Sequence, residues 1–149
     1  MIVVATDEEY TIARKRFKHS IIIKTGVGGI NVYRKLKRLP KWLKITNYGY
    51  VGSNKLTIGQ EVEIKECQLY HPNVEYEEPT YKIKTKSKTA VKCYTSNDFV
   101  LETKIEEPCV FDMELAYILA MGFKRVKSIK IVSDNLSKDE YKKSLDTLG

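Results

Sequence analysis

A chain of 149 residues with 42% apolar and 30% charged side chains has the make-up of one soluble globular domain over 1–149, large enough for a single core. Those proportions exclude a disordered or fibrous chain, and no apolar run approaches the length of a membrane span. The formal net charge of +7 raises the question of a nucleic-acid partner. The lysines are spread along the chain without an RNP, helix-turn-helix or zinc pattern, so a solvated basic surface and no nucleic-acid partner are expected. Cys67, Cys93 and Cys109 are odd in number and form no CxxC pair, which points to a reducing cytosol and no metal site. The opening MIVVATDEEY turns acidic too early for a signal peptide, so a cytoplasmic protein is expected.

In chain order, Met1–Ala5 reads as a short apolar strand, and Thr6-Asp7-Glu8-Glu9 as a capped helix start with an acidic first turn, the helix continuing to about Phe17. Ile21–Lys24 is a second buried strand that runs into Thr25-Gly26-Val27-Gly28-Gly29. A helix from Ile30 to about Arg38 follows, stopped by Pro40, and a third strand covers Leu43 to Tyr48. Strand–helix–strand–helix–strand with glycines at the strand exits is the pattern of a parallel sheet covered on both faces. Glu61–Ile64 then alternates like an antiparallel strand, and Cys67 to Pro79 reads as loop. Tyr81 to Tyr94, with lysine at 82, 84, 86 and 88, reads as one long edge strand carrying a lysine ladder. Thr95–Phe99 is a turn. Leu115, Ile118, Leu119 and Gly122 mark an amphipathic helix over 113–122, with Asp112 and Glu114 at its first turn. Ser128–Val132 is a buried strand ending in Ser133-Asp134-Asn135, and Ser137 to about Leu148 is a last helix.

Three acids stand out. In open α/β sheets the ligand crevice lies beyond the carboxyl ends of the strands, which places Asp134 to meet a ligand. Each acid also has an ordinary structural reading: first-turn acids suit the helix dipole, and Asp134 suits a turn or a helix cap. The Thr25–Gly29 turn presents backbone N–H groups that suit an anion. It has neither GxGxxG nor Walker spacing, and a tight strand-to-helix turn explains it equally well.

The order of the pieces adds a resemblance. IVVATDEEY, KTGVGGINV, ITNYGYVG with IGQEVEI, YHPNVEY, TSNDFV, FDMELAYI and IVSDN resemble, in order, the segments of the nucleoside phosphorylase and nucleosidase family. The likeness is strongest to the methylthioadenosine/S-adenosylhomocysteine nucleosidases, in a shortened form, and FDMEL with the downstream VSD is its most specific part. The resemblance implies a three-layer α/β fold, a mixed central sheet flanked by helices. It implies cleavage of the N-glycosidic bond of a purine nucleoside, without metal or cofactor. Asp134 then matches the general acid serving the purine N7, and Glu9 the group that activates water. Glu114 matches the carboxylate on the ribose hydroxyls, and Met113 the side chain packed on the sugar. Phe99 matches the aromatic that stacks on the base, and Val100 the residue whose backbone hydrogen-bonds it. Ser133 is a further substrate-binding candidate, and Thr25 stands where the family has a serine near the water or phosphate. Relatives are dimers or larger homo-oligomers in which a neighbour's loop completes the pocket; His71 is the candidate for that contact here, and an exposed loop residue is its ordinary reading.

The chemistry suits these residue types. Breaking a C1′–N9 bond passes through an oxocarbenium-like sugar and needs the leaving base neutralised, as in glycoside hydrolysis. One carboxyl delivers a proton, an ionised one stabilises positive charge, and a third deprotonates water. Hydrolysis is expected over phosphorolysis, because a phosphorylase needs arginines aimed at phosphate. Lys130 stands four before Asp134, and the early arginines Arg14 and Arg16 sit on the first helix. A phosphate-dependent phosphorylase and a catalytically inactive nucleoside-binding module stay open as alternatives.

Overall fold

The strand–helix alternation of the first third is borne out in the computed structural model, which describes residues 1–71 and 77–137. Strand β1 (Ile2–Val4) leads into α1 (Asp7–Arg16), then β2 (Ile22–Lys24), α2 (Gly29–Leu36) and β3 (Lys44–Ser53). After these come β4 (Glu61–Leu69), β5 (Tyr81–Lys82), β6 (Val91–Thr95), β7 (Cys109–Asp112), α3 (Leu115–Ala120) and β8 (Arg125–Asp134).

Pairing is parallel between β1 and β2, β1 and β3, and β3 and β8, and antiparallel between β3 and β7. Further on, β4 runs parallel to β6 and antiparallel to β5 and β8, while β6 runs parallel to β7. The sheet is therefore mixed, as expected. It also closes on itself, because β8 bridges β3 and β4 while β7 and β6 link the same two strands on the other side.

Period-two alternation in the strands builds the layers. Ile2 and Val4 turn to one face, where they meet Ile12 and Ala13 of α1 with Tyr48, Tyr50 and Ile129. Val3 turns to the other face, against Val32 and Leu36 of α2 and Ile118 after the chain has returned through α3. The enclosed face holds Val51, Val62, Ile64, Cys67, Cys93, Val110, Leu115 and Val132. Among the described residues, no helix is long and apolar enough to cross a membrane.

Four boundaries differ from the sequence reading, each for a local reason. β3 runs on through Gly49–Gly52 to Ser53, because β8 pairs with it from Lys44 to Gly52 and β7 with Gly52 and Ser53. Cys67–Leu69 continues β4, where β6 supplies the partner. Tyr81 to Tyr94 is not one strand: β5 stops after Lys82, and residues 83–90 are irregular. There, Ser87 N–H donates to Thr85 Oγ1 at 3.1 Å and Thr89 N–H to Ser87 Oγ at 3.3 Å, local bonds that compete with a strand ladder. Finally, Cys109–Asp112 forms β7, so Asp112 ends a strand and α3 begins only at Leu115. Asp112 reaches the helix instead through its side chain, Oδ2 accepting from Leu115 N–H at 2.7 Å. Most of YHPNVEY and of the last helix lies outside the described residues.

Candidate active site

The carboxyl ends of β1, β3, β7 and β8 open into one cleft of about 230 Å³. Glu9, Phe99, Val100, Met113, Glu114, Ser133 and Asp134 all line it. Three acids that are far apart in sequence thus converge on one space, and each is held by donors.

Glu9 enters from the first turn of α1. The capping box with Thr6 is formed in both directions, so its ordinary reading is correct as far as it goes. The carboxylate does more. Oε1 accepts from Ala5 N–H at 2.8 Å and Thr6 N–H at 3.2 Å, and Oε2 accepts from Tyr50 N–H at 2.8 Å across the sheet. Three fixed donors leave about one of the roughly four lone-pair directions of a carboxylate for a further partner. Burial raises its proton affinity above the usual range, while Lys130 and the three N–H bonds oppose the rise. Gly49 is what lets it approach, because a Cβ there would collide with the Glu9 carboxylate.

Glu114 sits between β7 and α3. Its Oε2 accepts from Gly28 N–H at 2.9 Å, so the anion cradled by the glycine turn is this protein's own carboxylate. Gly28 has φ of +90°, the left-handed region that a side chain disfavours. Burial pushes the Glu114 carboxyl up to about 8, with the charges of Asp112 and Glu9 adding to the rise and the Gly28 bond and Lys130 resisting it.

Asp134, only 1% exposed, ends β8. Oδ1 accepts from Ser133 Oγ at 2.9 Å, and Oδ2 accepts from Leu136 N–H at 2.9 Å and Ser137 N–H at 3.2 Å. It is a turn-former and a cleft residue at once. The β3–β8 register shifts at Val51/Gly52, setting Gly52 opposite Asp134, where a Cβ would stand 2.9 Å from Oδ2.

Met113, Phe99 and Val100 are half-buried in the wall. Thr25 stands outside the lining, its hydroxyl within bonding distance of the Gly26 carbonyl at 2.7 Å and the Val4 carbonyl at 3.3 Å. His71 also lies away from the cleft, with Nε2 2.9 Å from Glu78 Oε1. Several lining residues went unassigned in the sequence: Thr6, Val27, Tyr50, Asp98, Phe111 and Asp112. Asp98 and Asp112 flank assigned residues, and that adjacency was the available signal; Thr6, Val27, Tyr50 and Phe111 carried none.

Cys67, Cys93 and Asp112 hold ligand atoms within 4.8 Å of one another. Thr95 Oγ1 donates to Asp112 Oδ1 at 2.5 Å, and Lys130 Nζ lies 3.3 Å from Oδ2. With a buried ammonium already seated there, the cluster reads as a hydrogen-bonded knot under the cleft floor and not as a metal centre.

Fold and cleft together define a mixed α/β protein with an acid-lined cleft at the carboxyl ends of its strands. No protein-family model and no curated protein matches this sequence. Among solved structures, it is similar to the MTAN of Chlamydia trachomatis bound to MTA, at TM-score 0.78 and 14% identity over 98% of this chain and 90% of that one. It is similar to the 5′-methylthioadenosine/S-adenosyl homocysteine nucleosidase of Helicobacter pylori, at TM-score 0.78 and 12% identity over 98% and 90%. The futalosine hydrolase of Helicobacter pylori follows at 0.73 and 14%, over 98% and 88%. This chain has their fold.

Proposed function

We propose that this protein is a nucleosidase that hydrolyses the N-glycosidic bond of a purine nucleoside, of the methylthioadenosine/S-adenosylhomocysteine type, to free base and a ribose derivative. The observation that carries the reading is the meeting of Glu9, Glu114 and Asp134 in one cleft beside Phe99 and Met113. The base stacks on Phe99 and takes a backbone hydrogen bond at Val100; the ribose lies against Met113 with its hydroxyls on Glu114. As the C1′–N9 bond breaks, its electron pair goes to the purine, and Asp134 gives a proton to N7. Positive charge grows on the sugar among carboxyl groups, and Glu9 takes a proton from the water whose oxygen bonds C1′. Ser133, donating to Asp134, holds the acid in place.

Water is favoured as nucleophile over phosphate by charge. Among the described residues the lining contains Glu9, Asp98, Asp112, Glu114 and Asp134 and no arginine or lysine. A phosphate dianion there would meet like charge and no cation. Arg14 donates to Ser20 O and Tyr10 Oη, and Arg16 pairs with Glu61. The reading includes a homodimer or larger homo-oligomer in which the neighbour's His71 stretch reaches the cleft, and a cytoplasmic setting that suits three free thiols; a monomer by light scattering would remove the shared pocket.

A panel of purine and pyrimidine nucleosides, with and without phosphate and followed by chromatography for the free base, tests the proposal. Phosphate-independent release of a purine base is expected. Strict phosphate dependence would make the protein a phosphorylase, and binding without release would make it an inactive nucleoside-binding module.

A further inference from the structure

Charge accounting beneath the cleft leads to a residue that the chemistry above leaves out. Among the described residues, the buried charged side chains are Glu9, Asp112, Glu114 and Asp134 on one side and Lys130 alone on the other. Buried charges persist only when paired or neutralised, so one cation cannot keep this set of carboxyl groups ionised.

Lys130 is not merely near them. Its Nζ lies 3.3 Å from Asp112 Oδ2, the two side chains 2% and 1% exposed. The same carboxylate accepts from Leu115 N–H at 2.7 Å, Thr95 Oγ1 at 2.5 Å and Cys93 Sγ at 3.4 Å. Thr95 Oγ1 in turn accepts from Ala116 N–H at 3.0 Å and lies 3.2 Å from Cys67 Sγ. One knot therefore ties β4, β6, β7 and β8 to the start of α3. Phe99 follows β6, Met113 and Glu114 follow β7, and Asp134 ends β8.

We propose that Lys130 is a positioning residue: seated on Asp112, its ammonium is the buried counter-charge of the cleft floor and fixes the Glu114 turn above it. Its consequence for turnover rests on the nucleosidase reading; the charge lock does not. The charges acting on Lys130 are those of Asp112 from β7, Cys93 from β6, Glu9 from α1, and Glu114, with Asp112 in direct contact. The groups facing Glu114 are Asp112, Glu9, Lys130 and the Gly28 N–H, with Tyr117 of α3 alongside.

The signs are opposite for the two partners and supply the test. The side-chain carboxyl ¹³C resonance of Glu114 is titrated in the full chain without substrate, assigned by its loss in Glu114→Gln. Asp112→Asn removes a repulsive charge and should lower the midpoint; adding Lys130→Met takes away an attractive one and should raise it again. The double variant should return toward the parent midpoint, and Lys130→Arg should stay near it. Lys130→Met alone would leave Asp112 buried without its cation, so the comparison rests on the double variant, which must titrate above Asp112→Asn alone. An unmoved midpoint in Asp112→Asn, or a double variant that titrates no higher than Asp112→Asn, overturns the proposal, because a purely structural role has no reason to reverse sign. If base release is detected, the pH profile of kcat should move with the midpoint. Without base release the titration still decides, so the lock and the nucleosidase reading fail separately.

Discussion

β3 and β8 carry a concavity at each end, and the two are opposites. At their carboxyl ends lies the acid-lined cleft. At their starts, about 30 Å away along strands of this length, lies a larger groove of about 500 Å³ lined by Lys44, Lys82, Lys84, Lys124, Arg125 and Lys127. Every one of those cations is exposed, and Lys82 and Lys127 already pair with Glu66 and Glu63. Of these two, volume favours the groove. What distinguishes the cleft is that Glu9, Glu114 and Asp134 are desolvated and fixed by backbone donors, a costly arrangement that structure alone does not require. The lysines opposite are solvated, flexible and cheap.

The largest effect expected from breaking this contrast is Asp134→Asn. The amide keeps an acceptor for the turn, so circular dichroism should be unchanged, while base release should fall about 10²- to 10⁴-fold with the proton donor gone. Unimpaired release would remove Asp134 from the mechanism.

Next comes the close approach of Glu9 to the sheet. In Gly49→Ala, the new methyl and the Glu9 carboxylate cannot share the space. The acid must move or the strand must bend, at a cost of about 1–3 kcal/mol in urea unfolding. Misplacement of roughly 1 Å at a reacting group costs about 10²-fold in kcat/KM. Full activity with parent stability would show that Glu9 need not sit where it does.

How much of this was legible follows from how local each signal is. Asp134 was legible because a short apolar strand stops at it, while Glu9 was legible as a helix-start acid and came to the site only through the resemblance. The capping role of both does not keep them from the cleft, since Glu9 and Asp134 each hold a turn and also line it. Glu114 and Met113 were marked by the FDMEL resemblance, yet the helix start was set too early, because helical periodicity absorbed Asp112 into a turn. β7 escaped notice because four residues after Pro108 show neither alternation nor length. Lys130 was the hardest. In Ile-Lys-Ile a lysine reads as a solvent-facing residue, and nothing local announces that Asp112 awaits it across the barrel. Thr25, assigned on a resemblance, turns its hydroxyl to carbonyls outside the cleft lining.

The buried state of Glu114 makes a smaller, pH-dependent difference. Its carboxyl is raised from 4.5 to about 8 in the folded protein. The unfolded chain therefore ionises first as pH rises, and the contribution of Glu114 to stability, complete below about pH 4.5, is lost progressively up to about pH 8. Glu114→Gln keeps an acceptor for Gly28 N–H without that loss. Its melting temperature should exceed the parent's at pH 8.5, with the difference shrinking toward pH 5. A difference independent of pH would place the charge elsewhere.

The smallest effect belongs to the groove. Lys84 and Lys124 are exposed and have no acidic partner in a salt bridge among the described residues. Reversing them to glutamate alters only a solvated field about a full strand length from the cleft, well beyond a screening length of roughly 8 Å at physiological salt. Stability should stay within about 0.5 kcal/mol, and base release should be unchanged in 0.15 M salt, about physiological ionic strength. If Lys84→Glu or Lys124→Glu suppressed turnover as Asp134→Asn should, the two concavities would be coupled. The division of labour between a desolvated acidic end and a hydrated basic end would then have to be abandoned.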